Sequence, residues 1–340
     1  MAQSLAIKYR PQTFDDVVEQ GAVKQILQEQ LRTNTQKNCY LFTGGAGTGK
    51  TTCARIFANE INEHKGNPIE IDAASNNGVE NVREIIDNAK FKALDAPYKV
   101  YIIDECHMLS TGAWNAMLKL LEEPPAQTIF IMCTTDPQKI PATILSRVQR
   151  YDFQRITHKA VVERLDYVCN SEGVNHFTTE ALEYIAKLAD GGMRDAVTLL
   201  DKCLSYNSQI TIKNVVEALG TVDYTTMINL TNAILHMKAD EAVVIIEEAH
   251  RSGADLKQFI KQYGYFLLDV YKYSLLDSFE YLQIPSSLAS DFKNWNDDDF
   301  LFIRDLLDVV IKLNADIKWE TSPKPLIEAT FILACQENAE

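Results

Sequence analysis

Gly44-Gly45-Ala46-Gly47-Thr48-Gly49-Lys50-Thr51 has the residue types and spacing of a phosphate cradle. Its glycines let backbone N–H groups converge on phosphate oxygens, and a helix N-terminus behind them adds a positive dipole end. Lys50 then reaches β and γ phosphates, the Thr51 hydroxyl takes a place on Mg²⁺, and Thr52 continues into the helix. A second chemical group lies downstream, where the apolar run Lys99-Val-Tyr-Ile-Ile ends in Asp104-Glu105. Placed beside the phosphates, Asp104 holds Mg²⁺ through water and Glu105 polarises a water for attack on the γ phosphate. Cys106 and His107 follow directly. Neighbouring residues leaving a strand point in different directions, so they do not read as a nucleophile–base pair.

These groups need elements to hold them. Apolar runs at 39–43, 68–72, 99–104, 128–134 and 149–153 read as strands, separated by helix-period segments near 51–62, 79–90 and 112–123. That alternation predicts a parallel sheet covered by helices. In such a sheet the carboxyl ends of the strands face the ligand crevice, which puts the loop and the two carboxylates together. Beyond residue 157 the strand signals stop. Segments 158–171, 178–190, 193–206, 211–219, 224–235, 239–252, 254–277, 300–314 and 323–336 read as helices, with Thr157, Thr178, Thr211 and Asp223 as caps. The run Asn296-Asp-Asp-Asp299 reads as a helix start rather than a metal site. A break is expected near Gly220-Thr-Val222. The aromatics of 259–281, from Phe259 and Tyr263 to Phe279 and Tyr281, read as packing surface.

A chain of 340 residues holds two or three domains. Its net charge of −14 is uneven: residues 1–155 carry 17 Lys+Arg against 18 Asp+Glu, and residues 156–340 carry 16 against 29. Strong DNA binding by this chain alone is therefore not expected, and any DNA contact is local to the first half. No run is long and apolar enough for a membrane span, and the start does not read as a signal peptide. Seven cysteines without a C-x-x-C pair, mostly within apolar runs, read as reduced core residues of a cytoplasmic protein.

Further motifs now narrow the reading. Lys8-Tyr9-Arg10-Pro11-Gln-Thr-Phe14-Asp-Asp-Val17-Val18, the phosphate loop, Ile71-Asp-Ala-Ala-Ser75-Asn-Asn-Gly-Val79-Glu and Tyr101-Ile-Ile-Asp-Glu-Cys-His107-Met-Leu-Ser110 come in that order. Asn115-Ala-Met-Leu-Lys-Leu-Leu-Glu-Glu-Pro-Pro125, Thr134-Thr-Asp-Pro-Gln-Lys-Ile-Pro-Ala-Thr-Ile-Leu-Ser-Arg147 and Gly191-Gly-Met-Arg-Asp-Ala196 follow. Together they resemble the γ/τ motor subunits of the bacterial DNA polymerase III clamp loader, a family of AAA+ ATPases. The likeness is close over residues 4–205; beyond that only a compatible helical length remains.

The resemblance implies an α/β-then-all-α fold: a P-loop domain over 1–156, a helical lid over 157–221 and a helical collar over 222–340. It implies ATP held at Gly44, Gly45, Ala46, Gly47, Thr48, Gly49, Lys50, Thr51 and Thr52, with Tyr9, Arg10, Val17 and Val18 around the adenine. Thr135 matches the first sensor, orienting water or contacting the γ phosphate, and Arg194 the second, reaching from the lid. Arg147 matches an arginine finger serving a neighbouring subunit's ATP. Alternatives stand beside each: Thr135 capping the Asp-Pro turn, Arg194 paired with Asp190 or Asp195, Arg147 a surface charge.

Implied partners are other loader subunits in a ring or spiral, pentameric in the family, a sliding clamp and primer–template DNA, with no membrane. Ser75, Asn76, Asn77 and Gly78 open one helix and Thr111 and Gly112 another; both starts suit a DNA phosphate or simple capping. Phe91, Leu94 and Tyr98 suit a clamp-facing surface or a buried helix end. The chain departs from the family at Asn62-Glu-His-Lys-Gly66, where many members carry a four-cysteine zinc module. His64 alone holds no zinc, so Mg²⁺ is the metal expected. Val148 replaces a frequent Cys, and the absence of a τ-type tail suggests a minimal loader of phage or mobile-element origin. A non-hydrolysing structural subunit and another AAA+ DNA motor, such as a branch-migration helicase, are the competing readings.

Overall fold

The computed structural model describes residues 3–220, 222–278, 282, 284, 289–292 and 294–336. Thr221, in the expected break, and the aromatics Phe279 and Tyr281 lie outside the described residues. The chain divides into two compact units, Met1–Asp201 and Lys202–Glu340.

The first unit opens with a single turn α1 (Leu5–Lys8) and α2 (Gly21–Thr33), then β1 (Cys39–Gly44), α3 (Lys50–Ile61), β2 (Ile69–Asp72) and α4 (Val79–Ala89). β3 (Lys99–Asp104), α5 (Thr111–Glu122), β4 (Thr128–Thr134), the turn α6 (Ala142–Leu145) and β5 (Gln149–Phe153) complete the sheet and its cover. α7 (His158–Ser171), α8 (Thr179–Leu188) and α9 (Met193–Tyr206) follow. The five strands lie in the order β2-β3-β4-β1-β5, all parallel, with Thr43 level with Thr134 and Asp152, and Asp72 level with Asp104. Every residue of β4 is buried, as a strand covered on both faces requires. Side chains alternate between two cores: Tyr40, Phe42, Ile129 and Ile131 pack with Cys53 and Phe57 of α3, while Leu41, Phe130 and Met132 pack with Val82 of α4 and Trp114 and Met117 of α5.

All five strands fall where the apolar runs put them. α2 was not legible: it starts from Gln20 in the left-handed region without a side-chain cap, and its buried stripe of Val23, Leu27 and Gln30 includes a polar residue. Two two-residue extended segments, His176–Phe177 and Gln209–Ile210, also fall in the stretch expected to be free of strands. Segments that short are too brief for a period-2 signal.

The second unit is helical: α10 (Ile212–Leu219), α11 (Tyr224–Leu235), α12 (Ala239–Arg251), α13 (Leu256–Leu276), the turn α14 (Ala289–Phe292), α15 (Asp297–Asp316) and α16 (Lys324–Ala334). The caps read from the sequence are present, Thr157 on α7, Thr178 on α8, Thr211 on α10 and Asp223 on α11. Asn296 and Asp299 form a reciprocal capping box, which starts α15 earlier than the apolar pattern alone suggests. Phe259, Tyr263, Phe266 and Phe331 are buried at its centre, where the Tyr263 hydroxyl meets Thr231 Oγ1 at 3.0 Å. No helix among the described residues is long and apolar enough to cross a membrane.

Candidate active site

β1 ends at Gly44 and α3 begins at Lys50, so the glycine-rich loop caps the N-terminus of α3 at the carboxyl end of the sheet. Gly47 carries φ +68°, and a Cβ there would stand 2.9 Å from the Cα of Gly192. The two loops therefore meet backbone to backbone, and Met193 N donates to Gly47 O at 3.0 Å. The start of α9 is thus fastened to the phosphate loop. Lys50 is only 5% exposed, and its Nζ donates to the carbonyls of Gly44 at 2.9 Å and Gly45 at 2.7 Å. Burial pulls its pKa down, opposed by Cys133, Glu105 and Asp104.

Thr51 Oγ1 donates to Asp104 Oδ2 at 2.9 Å, joining the loop to the end of β3. These two hard oxygens fit Mg²⁺, which commonly takes one or two protein ligands and fills its octahedron with water and phosphate oxygens. Among the described residues no cluster of three or more His, Cys, Asp or Glu side chains is arranged to hold a metal.

Glu105 has φ +45°, a left-handed conformation uncommon for a residue with a Cβ. Its Oε2 accepts from Thr135 Oγ1 at 2.8 Å and Thr135 N at 3.3 Å, and lies 3.3 Å from His107 Nδ1. Three polar groups converge on one carboxylate oxygen, which fixes the carboxylate's orientation. The Asp-Pro turn is capped by Thr134, whose Oγ1 accepts from Asp136 N at 3.0 Å. The alternative that Thr135 is the turn's cap is therefore set aside. Cys106 is fully buried and its thiol is pushed up by burial, while His107 turns toward Thr134 and Glu105. No Cys–His dyad forms.

A cavity gathers Tyr9, Arg10, Val17 and Val18, the loop from Ala46 to Thr52, Asp104 and Glu105, and Arg194. Gly44, Gly45 and Thr135 do not line it: the two glycines supply carbonyls to Lys50, and Thr135 acts on Glu105. Arg10 is half-buried, its pKa lowered by burial and by the nearby guanidinium groups of Arg55 and Arg194. Cations crowded in this way favour an anionic ligand. Asp190, one of the acids open to Arg194, is paired with Arg155. Arg147 stands apart from the cavity: its Nε and Nη2 donate to Glu122 Oε1 at 2.9 and 2.6 Å, and Nη1 to Thr143 O at 2.6 Å.

The other expected sites are at the surface. Ser75 Oγ and Asn76 Nδ2 donate to Asp72, and Ser110 N donates to Asn77 O at 3.1 Å, bringing the starts of α4 and α5 side by side. A Cβ on Gly112 would lie 2.7 Å from Val79 Cγ2, so the two helices touch at their first turns. Thr111 follows the cap Ser110, which accepts from Ala113 N. Phe91 and Leu94 are exposed rather than covered, whereas Tyr98 packs on the sheet core. Arg164 of α7 and Ala6 and Pro11 of the N-terminal segment also line the cavity. Pro11 stands in a motif legible in the sequence but carries no polar side chain to mark a role, and Ala6 and Arg164 reach the cavity only through the fold.

Family models match two stretches of the chain: "DNA polymerase III, delta subunit" over residues 69–157 and "DNA polymerase III clamp loader subunit, ATPase lid domain" over residues 160–209. The DNA polymerase III subunit tau of Bacillus subtilis is 37% identical, covering 98% of this chain and 63% of its own length. The Escherichia coli tau subunit is 36% identical, covering 74% and 43%. The DNA polymerase III subunit gamma of Buchnera aphidicola from Acyrthosiphon pisum is 33% identical, covering 79% of this chain and 80% of that one. The chain thus spans less than two thirds of the length of the tau relatives. A solved structure of the Thermotoga maritima RuvB Holliday junction branch migration motor superposes with a TM-score of 0.53 at 21% identity, covering 66% of this chain and 79% of that one. At that identity the likeness concerns the fold.

Proposed function

The chain belongs to the DNA polymerase III gamma/tau family, and from that premise we propose that it is the ATP-hydrolysing motor subunit of a clamp loader. The observation that carries this reading is the meeting of Lys50, Thr51, Asp104, Glu105 and Arg194 in one cavity at the carboxyl end of a parallel sheet. In this reading residues 1–156 bind nucleotide, 157–221 form the lid and 222–340 the collar. Seven free, buried cysteines suit a reducing, cytoplasmic setting.

The triphosphate lies along Ala46–Thr52, where its oxygens compete for the Lys50 ammonium now donating to Gly44 and Gly45. Tyr9, Arg10, Val17 and Val18 take the adenosine end. Thr51, and Asp104 through water, would hold Mg²⁺, which would supply charge neutralisation on the phosphates when bound. Glu105, with Oε2 engaged by Thr135, retains Oε1 for a water that it polarises toward the γ phosphate. Arg194 adds a fork of donors from the lid side. Arg147, outside its own cavity and held at the surface by Glu122, serves the ATP of an adjoining subunit. ATP at such junctions stabilises a spiral, pentameric in the expected form, that holds a sliding clamp open. Primer–template DNA aligns the finger, and hydrolysis releases the closed clamp.

The paired helix starts at Gly78 and Thr111–Gly112 are the proposed DNA contact, and the exposed Phe91 and Leu94 the proposed clamp contact. The deciding experiment is the ATPase rate of the purified chain, alone and with partner subunits, clamp and primed DNA. Stimulation by clamp and primed DNA together is expected. A folded chain that neither binds nor hydrolyses ATP under any of these conditions would overturn the proposal.

A further inference from the structure

Part of the cavity lining comes from the N-terminal segment, which contributes no strand to the sheet. Helices α7 and α9 hold that segment. Leu5 N donates to Asp201 Oδ2 at 3.0 Å, and Lys8 Nζ pairs with Glu172 at 2.6 Å. Glu19 accepts from Thr157 N at 3.1 Å and from its hydroxyl at 2.5 Å. The innermost of these ties is Arg164 of α7. Its Nη2 donates to Tyr9 O at 2.9 Å, its guanidinium lies 4.9 Å over the Tyr167 ring, and it lines the cavity itself. Tyr167 meets the Tyr9 ring edge-on at 6.1 Å. The guanidinium is thus fixed by a ring beneath it and a carbonyl ahead of it.

We infer that Arg164 is the positioning residue for the nucleoside end of the cavity: it sets Tyr9, and with Tyr9 the adjoining Arg10 and Pro11, without serving as a phosphate-binding cation. Arg10 and Arg194 stand near one another and Lys50 lies in the loop, but Arg164 turns its fork to a main-chain carbonyl and a ring, with the Asp16 carboxylate nearby. A charged hydrogen bond and a cation–ring contact together hold a segment that has no sheet ladder to hold it. The base wall therefore rides on α7 rather than on the sheet, and the lid-side helix sets the affinity for the nucleoside part of the ligand.

This inference rests on the cavity being a nucleotide site, and the test separates the two claims. Binding of a fluorescent ATP analogue is measured on the full chain, together with its displacement by ATP and by inorganic tripolyphosphate, which has phosphates but no nucleoside. Arg164→Ala is expected to weaken ATP roughly tenfold, the loss of one charge-assisted contact, while tripolyphosphate displacement stays at the parent value. Arg164→Lys, which keeps a donor but loses the planar fork, falls between. Tyr167→Leu, at an exposed ring, gives the same selective loss and serves if Arg164→Ala does not fold. Equal weakening of both ligands, or no change in either, overturns the positioning role. A parent chain that binds neither ATP nor tripolyphosphate overturns the nucleotide reading instead.

Discussion

The two compact units bury polar groups very differently. Among the described residues of Met1–Asp201 the buried polar side chains are Gln20, Thr43, Thr48, Lys50 and Thr134, in or beside the phosphate loop and the adjoining strand ends, and Gln30, Asn62 and Thr128, which serve the fold. Among the described residues of Lys202–Glu340 the buried polar residues are Thr231 and Asp269, and both serve the fold. Thr231 meets Tyr263, while Asp269 accepts from Ile284 N at 3.2 Å and pairs with Lys272. Removing a polar group from water opposes folding unless it is fully partnered. In both units the chain itself partners these groups. In the first unit, however, Thr48 and Lys50 also line the cavity, where a ligand is expected to compete for the Lys50 ammonium, whereas Thr231 and Asp269 are enclosed by packing. The contrast separates a region built for chemistry from one built for packing.

Substitutions in the first unit are expected to alter nucleotide chemistry without unfolding, and the largest effect is expected at its outer corner. Arg147→Ala should leave ATP affinity near the parent value and remove stimulated turnover by on the order of 10³-fold or more in an assembly built wholly from the variant. Stimulation that survives unchanged would place the trans-acting cation elsewhere. Lys50→Ala removes the cation from within the cavity, so ATP binding itself should weaken roughly 10–100-fold in a direct titration. ATP hydrolysis at the parent rate would break the distinction between the inner and the outer cation.

Much of this geometry was legible beforehand because it is local. The glycine loop and Asp104-Glu105 each lie within one strand-to-turn passage, and β1, β3 and β4 are continuous apolar runs of a kind that a strand covered on both faces requires. The helices of the second unit announced themselves through Thr211, Asp223 and Asn296. What stayed hidden depends on distant pairings. α2 begins at Gln20 with no cap, and that residue's own side chain reaches Gln154 O at 2.7 Å. Arg164 finds Tyr9 only through the fold, as His107 finds Thr134. Thr135 likewise meets Glu105 only because β3 and β4 run side by side in the sheet.

That contact supplies a smaller test. Thr135→Val keeps the shape at the end of β4 and the main-chain donor but deletes the 2.8 Å hydroxyl bond to Glu105. Turnover should fall about tenfold, the value of one charge-assisted hydrogen bond, with ATP affinity unchanged. A loss of affinity with turnover intact would mean that Thr135 meets the nucleotide directly.

The smallest effect is expected in the second unit, and it should be of a different kind. Asn296 Oδ1 accepts from the N–H groups of Asp298 and Asp299 at 2.8 and 3.1 Å, and Asp299 returns the bond to Asn296 N at 2.8 Å. Asn296→Ala removes one half of that reciprocal cap, which costs about 1 kcal/mol at a helix start. A denaturant titration should show a lower midpoint for the unit containing α15, with an unchanged slope. ATP affinity of the isolated chain should not move, because this capping box lies in Lys202–Glu340, whereas the residues lining the cavity all belong to Met1–Asp201. A shift in ATP affinity matching the loss of stability would mean that the packing unit biases the chemical one, and that the two kinds of buried polar group are energetically joined.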